Sequence, residues 1–257
     1  MRWFIDLAYR GAPFHGWQIQ PGEITVQSVL EEALSRLARR PVAVTGAGRT
    51  DAGVNASMMI AHVDLPDGLE PDSRFLHSLN SMVGRDIAVR SFTPVHADAH
   101  ARFDATERRY HYYANTRKSA FVWPLSWQAP PALDFDAMNR AGVLMLGTRD
   151  FSSFAKTHTD VKTHICDLRR VEWEEVAPGR WRLVVVADRF LRNMVRAIAG
   201  TLADVGRGKL APDDLPEIIA RRDRCAAGTS MPAHALFLSR ITYPYYTVPD
   251  EAYLEDI

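Results

Sequence analysis

The residues best suited to chemistry lie in one short segment, residues 46–56. Three consecutive polar side chains, Arg49, Thr50 and Asp51, stand there among mostly glycines and alanines. Small neighbours let a ligand approach the backbone closely and leave these three as the groups that can act on it. A carboxylate is ionised at neutral pH, so Asp51 can serve as nucleophile or base without a helper. The alternative is a structural Asx turn, in which Asp51 only bonds backbone amides.

The same segment does not match the known glycine-rich phosphate loops. Gly46 and Gly48 are not followed by the third glycine of a dinucleotide motif, and no Gly-Lys-Ser/Thr follows them. Metal chemistry is not predicted either, because Cys166 and Cys225 stand alone, without C-x-x-C or H-E-x-x-H. The histidines at 15, 158 and 164 lack the spacing of metal ligands, and those at 96 and 100 are expected to be structural.

Basic residues point to an anionic partner although the chain is formally neutral, with 31 basic and 31 acidic residues. Four acids follow the last base, Arg240, so residues 1–240 carry four more bases than acids. Only four of the bases are lysines, and arginine is the better residue for phosphates and for stacking on bases. Arginines cluster with tyrosines in residues 102–113, and three further arginines fall within residues 189–196, a pattern that suits RNA. A general preference for arginine codons is the simpler alternative.

Hydrophobic periodicity predicts the elements that must position these groups. In the first half, alternation predicts a strand over residues 2–9, and Thr25 can cap a helix that ends before Pro41. Short strands follow at 42–45 and 58–63, then a helix with its apolar face at 75–82 and a strand at 87–92. The order β-α-β-β-α-β is that of a ferredoxin-like unit.

The second half repeats this plan by element order alone. Strands are predicted at 109–115, 168–176, 181–187 and 237–243, with helices at 135–146 and 190–205. Two additions interrupt it, a long loop at 147–164 and a short helix at 215–220. We therefore predict an α+β fold of two ferredoxin-like halves, a largely antiparallel sheet with helices on one face and the other face free. The lobes are placed at residues 1–103, with the aspartate loop, and 104–257.

Targeting signals are not apparent. No apolar run approaches the roughly 18 residues that a membrane span needs, and Asp6 lies where a secretory signal would need its apolar stretch. The expectation is a cytoplasmic protein without a membrane partner.

Several motifs in order resemble the tRNA pseudouridine synthase A family. The segment Gly48-Arg49-Thr50-Asp51-Ala52-Gly53-Val54 is similar to its signature loop. The remaining matches are Tyr9, Gly11, Phe14, Gly16, Trp17, Gln18 and Gln20, then His100-Ala101-Arg102-Phe103, Arg109-Tyr110, Phe190-Leu191 and Asn193-Met194-Val195-Arg196.

The resemblance implies a pseudouridine synthase fold and an enzyme that isomerises uridine to pseudouridine at positions 38–40 of the tRNA anticodon stem and loop. It implies no cofactor, because the reaction adds and removes nothing, and a homodimer. Carried over by position, Asp51 is the nucleophile, Arg196 its ion-pair partner and Tyr110 the ring that contacts the target base after it is flipped out. The other implied substrate-binding residues are Arg49, Arg102, Arg192 and Leu236.

Four positions depart from the family pattern: Arg10, Asn55, Arg192 and Ala235. They affect tRNA preference and loop conformation more than reaction type. Three rival functions stay open on the sequence: a non-catalytic RNA-binding module, a glycosidic-bond hydrolase using Asp51 with a second carboxylate, and a pseudouridine synthase for another RNA site. Whether Asp51 attacks C1′, attacks C6 or abstracts a sugar proton is also open.

Overall fold

The computed structural model describes residues 1–156 and 162–247, and these form two compact units. Among the described residues, the first unit is Met1–Thr106 together with residues 238–247, and the second is Glu107–Phe237. The sequence-based boundary instead assigns everything after residue 103 to the second lobe. The difference at the C-terminus has a physical cause: the last strand pairs with a strand of the first unit. His158 and the acidic tail at 250–256 lie outside the described residues.

The described chain contains ten strands and five α-helices, an α+β composition. In chain order they are β1 (Arg2–Tyr9), α1 (Val26–Ala38), β2 (Val44–Gly46), β3 (Asn55–Asp64), α2 (Ser73–Met82), β4 (Ile87–Pro94), β5 (Glu107–Asn115), β6 (Trp127–Gln128), α3 (Phe135–Val143), β7 (Gly147–Asp150), β8 (Ile165–Ala177), β9 (Arg180–Ala187), α4 (Met194–Gly206), α5 (Leu215–Arg221) and β10 (Leu236–Thr242).

The first unit contains a sheet with the strand order β4-β1-β3-β10, and β2 pairs with β3. The pairs of β1 with β3 and β4, and of β2 with β3, are antiparallel. Helix α1 begins where the sequence predicts it: Thr25 accepts a hydrogen bond from the Ser28 amide, and the Ser28 hydroxyl completes the capping box. Leu30 and Leu34 are fully buried on the apolar face of this helix.

Strand β1 is buried on both of its faces. Alternate residues of a strand point to opposite faces, and Ile5 and Phe4, which are neighbours, are both 0% exposed. The Phe4 ring packs on Tyr243 and Tyr246 of the C-terminal segment, with centroids 5.1 and 5.3 Å apart. The expected free sheet face is therefore covered at β1, because the segment after β10 packs over it.

The second unit contains a sheet with the order β5-β9-β8-β7, in which these pairs are antiparallel, and the short β6 pairs parallel to β5. Its core is aromatic: Phe135 of α3 stacks on Trp181, with centroids 3.7 Å apart and planes at 2°. Strand β7 lies inside the predicted 147–164 loop, so that prediction is wrong over its first residues. The short helix α5 is confirmed. No helix in the described ranges is long and apolar enough to cross a membrane.

Candidate active site

Asp51 lies on the connection between β2 and β3 in the first unit. The Ala47 amide donates to the Ile60 carbonyl at 2.8 Å, which continues the sheet into the loop, and the Val54 amide donates to the Asp51 carbonyl at 3.1 Å, which closes a turn. Within this turn Asp51 is half-buried, while Arg49 before it is exposed. The loop therefore holds a carboxylate at a partly sheltered surface.

Thr50 anchors the aspartate loop to the N-terminal segment. Its hydroxyl hydrogen-bonds the Tyr9 hydroxyl at 2.8 Å, and its carbonyl accepts from the Trp17 amide at 3.1 Å. The Tyr9 and Trp17 rings are themselves neighbours, with centroids 6.1 Å apart. Because Thr50 is held through both side chain and backbone, the backbone that carries the adjacent Asp51 is restrained. This contact explains why the N-terminal and loop motifs occur together.

Two glycines allow this close approach. A Cβ atom on Gly11 would lie 2.2 Å from the Val54 carbonyl oxygen, far inside contact distance. Gly16 has φ of +87°, and a Cβ there would lie 2.5 Å from the Thr50 carbonyl oxygen. Backbone from residues 11–16 thus packs directly on the aspartate loop, at positions that no side chain can share.

Two of the departures from the family pattern have local partners here. Asn55 is 2% exposed, and its Oδ1 accepts a hydrogen bond from the Gly11 amide at 2.8 Å. It therefore strengthens the same contact between the N-terminal segment and the loop. Arg10 instead forms an exposed ion pair with Asp86, with Nε 2.8 Å from Oδ1. Arg10 therefore belongs to the surface of the first unit.

Tyr110 lies on β5 in the second unit, opposite Val185 of β9. It is half-buried, whereas Tyr112, two residues further on the same face, is completely buried. Phe190 meets the Tyr110 ring edge to face, with centroids 5.0 Å apart. Tyr112 is therefore a core aromatic, while Tyr110 is only half-buried and its ring packs against Phe190.

Arg196 lies in the first turn of α4 and is half-buried. Its Nε donates to the Met231 carbonyl at 2.5 Å, and the Met231 amide donates to the Arg196 carbonyl at 3.1 Å. Burial raises the pKa of the Tyr112 hydroxyl, and the positive charge of Arg196 opposes that rise. Arg196 is thus a fixed cation inside the second unit and not a solvated helix arginine.

The residue before α4 gives the helix start an unusual geometry. Asn193 has φ of +68°, and its Nδ2 donates to the Ser230 hydroxyl at 2.5 Å. Arg192 next to it is exposed, and its carbonyl accepts from the Lys156 amide at 3.0 Å. The left-handed residue changes the chain direction between Arg192 and Arg196, so the two arginines differ in exposure.

The remaining predicted contacts are Leu236 and Arg102. Leu236 begins β10 and is 4% exposed, directly after Ala235, which is fully buried. Arg102 is exposed in the first unit. Altogether the first unit holds Arg49, Asp51 and Arg102, and the second holds Tyr110, Arg192, Arg196 and Leu236.

The metal-ligating residue types and the two cysteines form no second reactive site within the described residues. Across residues 1–156 and 162–247, no group of three or more His, Cys, Asp or Glu residues could hold a metal ion. Burial raises the pKa of the Cys166 thiol to about 12, so it stays protonated, and Cys225 is exposed. Phe190 and the Met231 carbonyl contact predicted site residues but have no predicted role. Phe190 lies in the Phe190-Leu191 motif, whereas a backbone carbonyl leaves no signal in the sequence.

Comparisons with known proteins agree with one another. A model of the tRNA pseudouridine synthase family matches residues 7–104 and 141–244. A tRNA pseudouridine synthase A from Parabacteroides distasonis is 50% identical over 250 residues, which cover 97% of this chain and 99% of that protein. The protein of the same name from Porphyromonas gingivalis is 50% identical over 95% of this chain and 97% of its own length.

Among solved structures, a Cbf5-Nop10-Gar1 complex aligns over 91% of this chain and 57% of that one. The TM-score is 0.35 and the identity 10%, which is too weak a likeness to show a shared fold. The sequence comparisons place the chain among enzymes that isomerise uridine in tRNA. It belongs to the tRNA pseudouridine synthase family. The predictions of family and reaction class are confirmed.

Proposed function

We propose that this enzyme converts uridine to pseudouridine at positions 38–40 of the tRNA anticodon stem and loop, with Asp51 as the nucleophile. The observation that carries the proposal is the anchoring of Thr50 by Tyr9 and Trp17, which holds the backbone beside a half-buried carboxylate in a loop of small residues. A pre-positioned group avoids part of the entropic cost of placing it in the transition state.

The reaction breaks the bond between ribose C1′ and uracil N1 and forms one between C1′ and C5. N1 gains a proton and C5 loses one, so the product is an isomer and no cofactor takes part. A carboxylate can promote this by attack at C1′, by attack at C6 or by removing a sugar proton. Each route needs one ionised group close to the nucleotide, which is the role of Asp51.

The target base must leave its stack before Asp51 can reach it, at a cost of a few kcal/mol. An aromatic side chain returns about 1–3 kcal/mol by stacking on the base. Tyr110 takes this role, because the residue is only half-buried and Phe190 packs edge to face on its ring. Leu236 is proposed to contact the base as well.

Arginines supply the remaining roles. We assign Arg196 to pair with Asp51, which keeps the carboxylate ionised when bound RNA excludes water. Its hydrogen bonds to Met231 fix the guanidinium in place before substrate arrives. The exposed residues Arg49, Arg102 and Arg192 are assigned to phosphates, which provide most of the affinity of proteins for nucleic acids.

At the level of the whole protein, we propose two ferredoxin-like halves with helices on one face, the aspartate loop in the N-terminal lobe, and a cytoplasmic homodimer. The observed order of elements from β1 to β4 supports the first half of this assignment. The shared length with the tRNA pseudouridine synthase A proteins supports the common plan.

The test uses tRNA labelled with tritium at C5 of uridine. Isomerisation releases tritium to water, hydrolysis releases free uracil, and simple binding releases neither. We expect tritium release by the parent and none by Asp51→Ala, with tRNA affinity within a few-fold of the parent. Asp67→Ala, at an exposed position of the same unit, is the control and should keep parental turnover. Substrates with uridine at only one of positions 38, 39 and 40 then map the site. Turnover by Asp51→Ala, or free uracil, contradicts the proposal.

A further inference from the structure

Phe103 is an exposed aromatic residue that the proposed mechanism does not use. It is 75% exposed in the first unit, on the segment between β4 and β5. Burying a side chain of this size is worth roughly 1.5–3 kcal/mol, so a folded protein that leaves it in water forgoes that stabilisation. Single exposed apolar residues are common on protein surfaces, so what distinguishes Phe103 is how its segment is held and what surrounds its ring.

The segment that carries Phe103 is held firmly in place. The Tyr243 hydroxyl donates to the Ala101 carbonyl at 2.6 Å, and the Ala101 amide donates to Nδ1 of His62 at 3.1 Å. Asp104 accepts from the His100 amide at 2.7 Å and also from the Tyr245 hydroxyl. Hydrogen bonds on both sides of Phe103 in sequence fix the backbone. The exposed side chain is therefore attached to a restrained segment.

The surroundings of the ring are basic and aromatic. The His100 ring lies against Phe103, with centroids 4.2 Å apart and planes at 32°, and its Nδ1 accepts from the amides of Arg102 and Phe103. The Arg102 guanidinium carbon is 5.7 Å from the Phe103 centroid. An aromatic ring beside an arginine offers stacking for a base and charge for its phosphate.

We propose that Phe103 is a second stacking platform, which takes an unpaired nucleobase of the tRNA while Arg102 contacts the adjoining phosphate. The inference rests on the proposed function and adds a contact in the first unit to that of Tyr110 in the second. RNA fits better than a second copy of the chain, because Arg102 and His100 lie against the ring and a cationic border suits a phosphate backbone.

The experiment compares substitutions at two exposed phenylalanines. Phe103→Leu removes the aromatic face and keeps an apolar side chain, Phe103→Tyr keeps the face, and Phe121→Leu, at a 96% exposed position of the second unit, is the control. Affinity for unmodified tRNA is measured at several salt concentrations, together with kcat, KM and the thermal unfolding midpoint.

Phe103→Leu should weaken binding and raise KM about 5- to 100-fold, as loss of one stacked base requires, with kcat nearly unchanged. The slope of log affinity against log salt should stay parental for Phe103→Leu and should fall by about one for Arg102→Gln. For Phe103→Tyr and Phe121→Leu, tRNA affinity and KM should stay within about twofold of the parental values.

Two results overturn the platform. One is a Phe103→Leu variant that binds tRNA as tightly as Phe121→Leu. The other is a Phe103→Leu variant whose oligomeric state changes in light scattering without RNA, which would make the ring an interface between copies. The proposed function fails separately: a parent that binds tRNA through Phe103 but releases no tritium keeps the platform and loses the isomerase assignment.

Discussion

At the scale of single residues, Asp51 depends on neighbours that do no chemistry themselves. Thr50 provides two anchors, one to the Tyr9 hydroxyl and one to the Trp17 amide, and Asn55 adds a third through the Gly11 amide. Each is a modest hydrogen bond of about 1 kcal/mol net. Together they restrict the loop more than any one contact could, because the chain between them is only a few residues long.

The planar guanidinium of Arg196 should not be replaceable by a lysine ammonium. Its Nε is engaged by the Met231 carbonyl, so the rest of the planar guanidinium has a set direction. A lysine ammonium has no such plane and cannot hold the Met231 carbonyl and the proposed partner Asp51 in the same geometry. On that proposal, Arg196→Lys should lower the single-turnover rate at least about tenfold, with tRNA affinity little changed, because tenfold corresponds to about 1.4 kcal/mol.

Arg207→Lys, at an exposed position directly after α4 with no assigned role, is the matched control, since both variants keep a positive charge on the same helix. It should retain the parental rate. Arg196→Met should in addition lower stability, because the Met231 carbonyl loses its partner. Parental single-turnover kinetics in Arg196→Lys would remove Arg196 from the site.

At the scale of elements, the aspartate loop is shaped by the segment packed on it. Gly11 is the sharpest case, because a methyl group there would lie 2.2 Å from the Val54 carbonyl oxygen. Gly11→Ala should force the two segments apart, cost about 1–3 kcal/mol of stability, and slow turnover more than it weakens binding. Gly48→Ala, whose added methyl group meets nothing within 4 Å, should unfold at nearly the parental temperature. Equal unfolding temperatures for both variants would contradict this crowding.

The sequence predicts those elements that carry their own signals. Helix α1 is found at Val26–Ala38 because Thr25 caps it and an apolar stripe runs along it. Strand β7 has no alternation in Gly147–Asp150 and exists only by pairing with β8, with Thr148 opposite Asp167. Likewise, β10 joins the first unit through pairing with a strand more than 170 residues earlier, which no local pattern shows.

For the site, composition and motifs point to Asp51 as the proposed nucleophile, because a carboxylate among glycines and alanines is unusual. They also single out the arginines and tyrosines that suit RNA. What they cannot provide is the distinction between Tyr110 and Tyr112, neighbours on one strand face that differ in burial. Nor do they show the Met231 carbonyl or the covered face of β1, since both arise from chain segments distant in sequence.

At the scale of the whole molecule, two buried groups make stability depend on pH in opposite directions. Burial lowers the pKa of His62 to about 4, helped by the charges of Arg2 and His100 and opposed by Asp64 and Asp104. Its unfolded value is 6.5, so the unfolded chain binds more protons between these values, and stability from this group rises with pH from about 4 to 6.5.

Asp6 has the opposite sign. It is 1% exposed, and burial raises its pKa from 3.8 to about 6 although Arg90, with Nη1 3.5 Å from Oδ2, opposes the rise. The folded chain then binds more protons between these values, so stability from Asp6 falls as pH rises from about 4 to 6. Each group contributes on the order of 3 kcal/mol, and the two slopes largely cancel.

Replacing either group should reveal the pH dependence of stability that the other contributes. In His62→Asn, where the amide oxygen can still accept from the Ala101 amide, the free energy of unfolding should fall between pH 4 and 6 relative to the parent, because only Asp6 titrates. In Asp6→Asn it should rise over the same range, and the double variant should return to the parental slope. Urea unfolding followed by tryptophan fluorescence at intervals of half a pH unit measures all four. Parallel curves for the parent and both single variants would mean that neither group is shifted, and a changed slope in Asp6→Asn alone would assign the effect to Asp6 and Arg90.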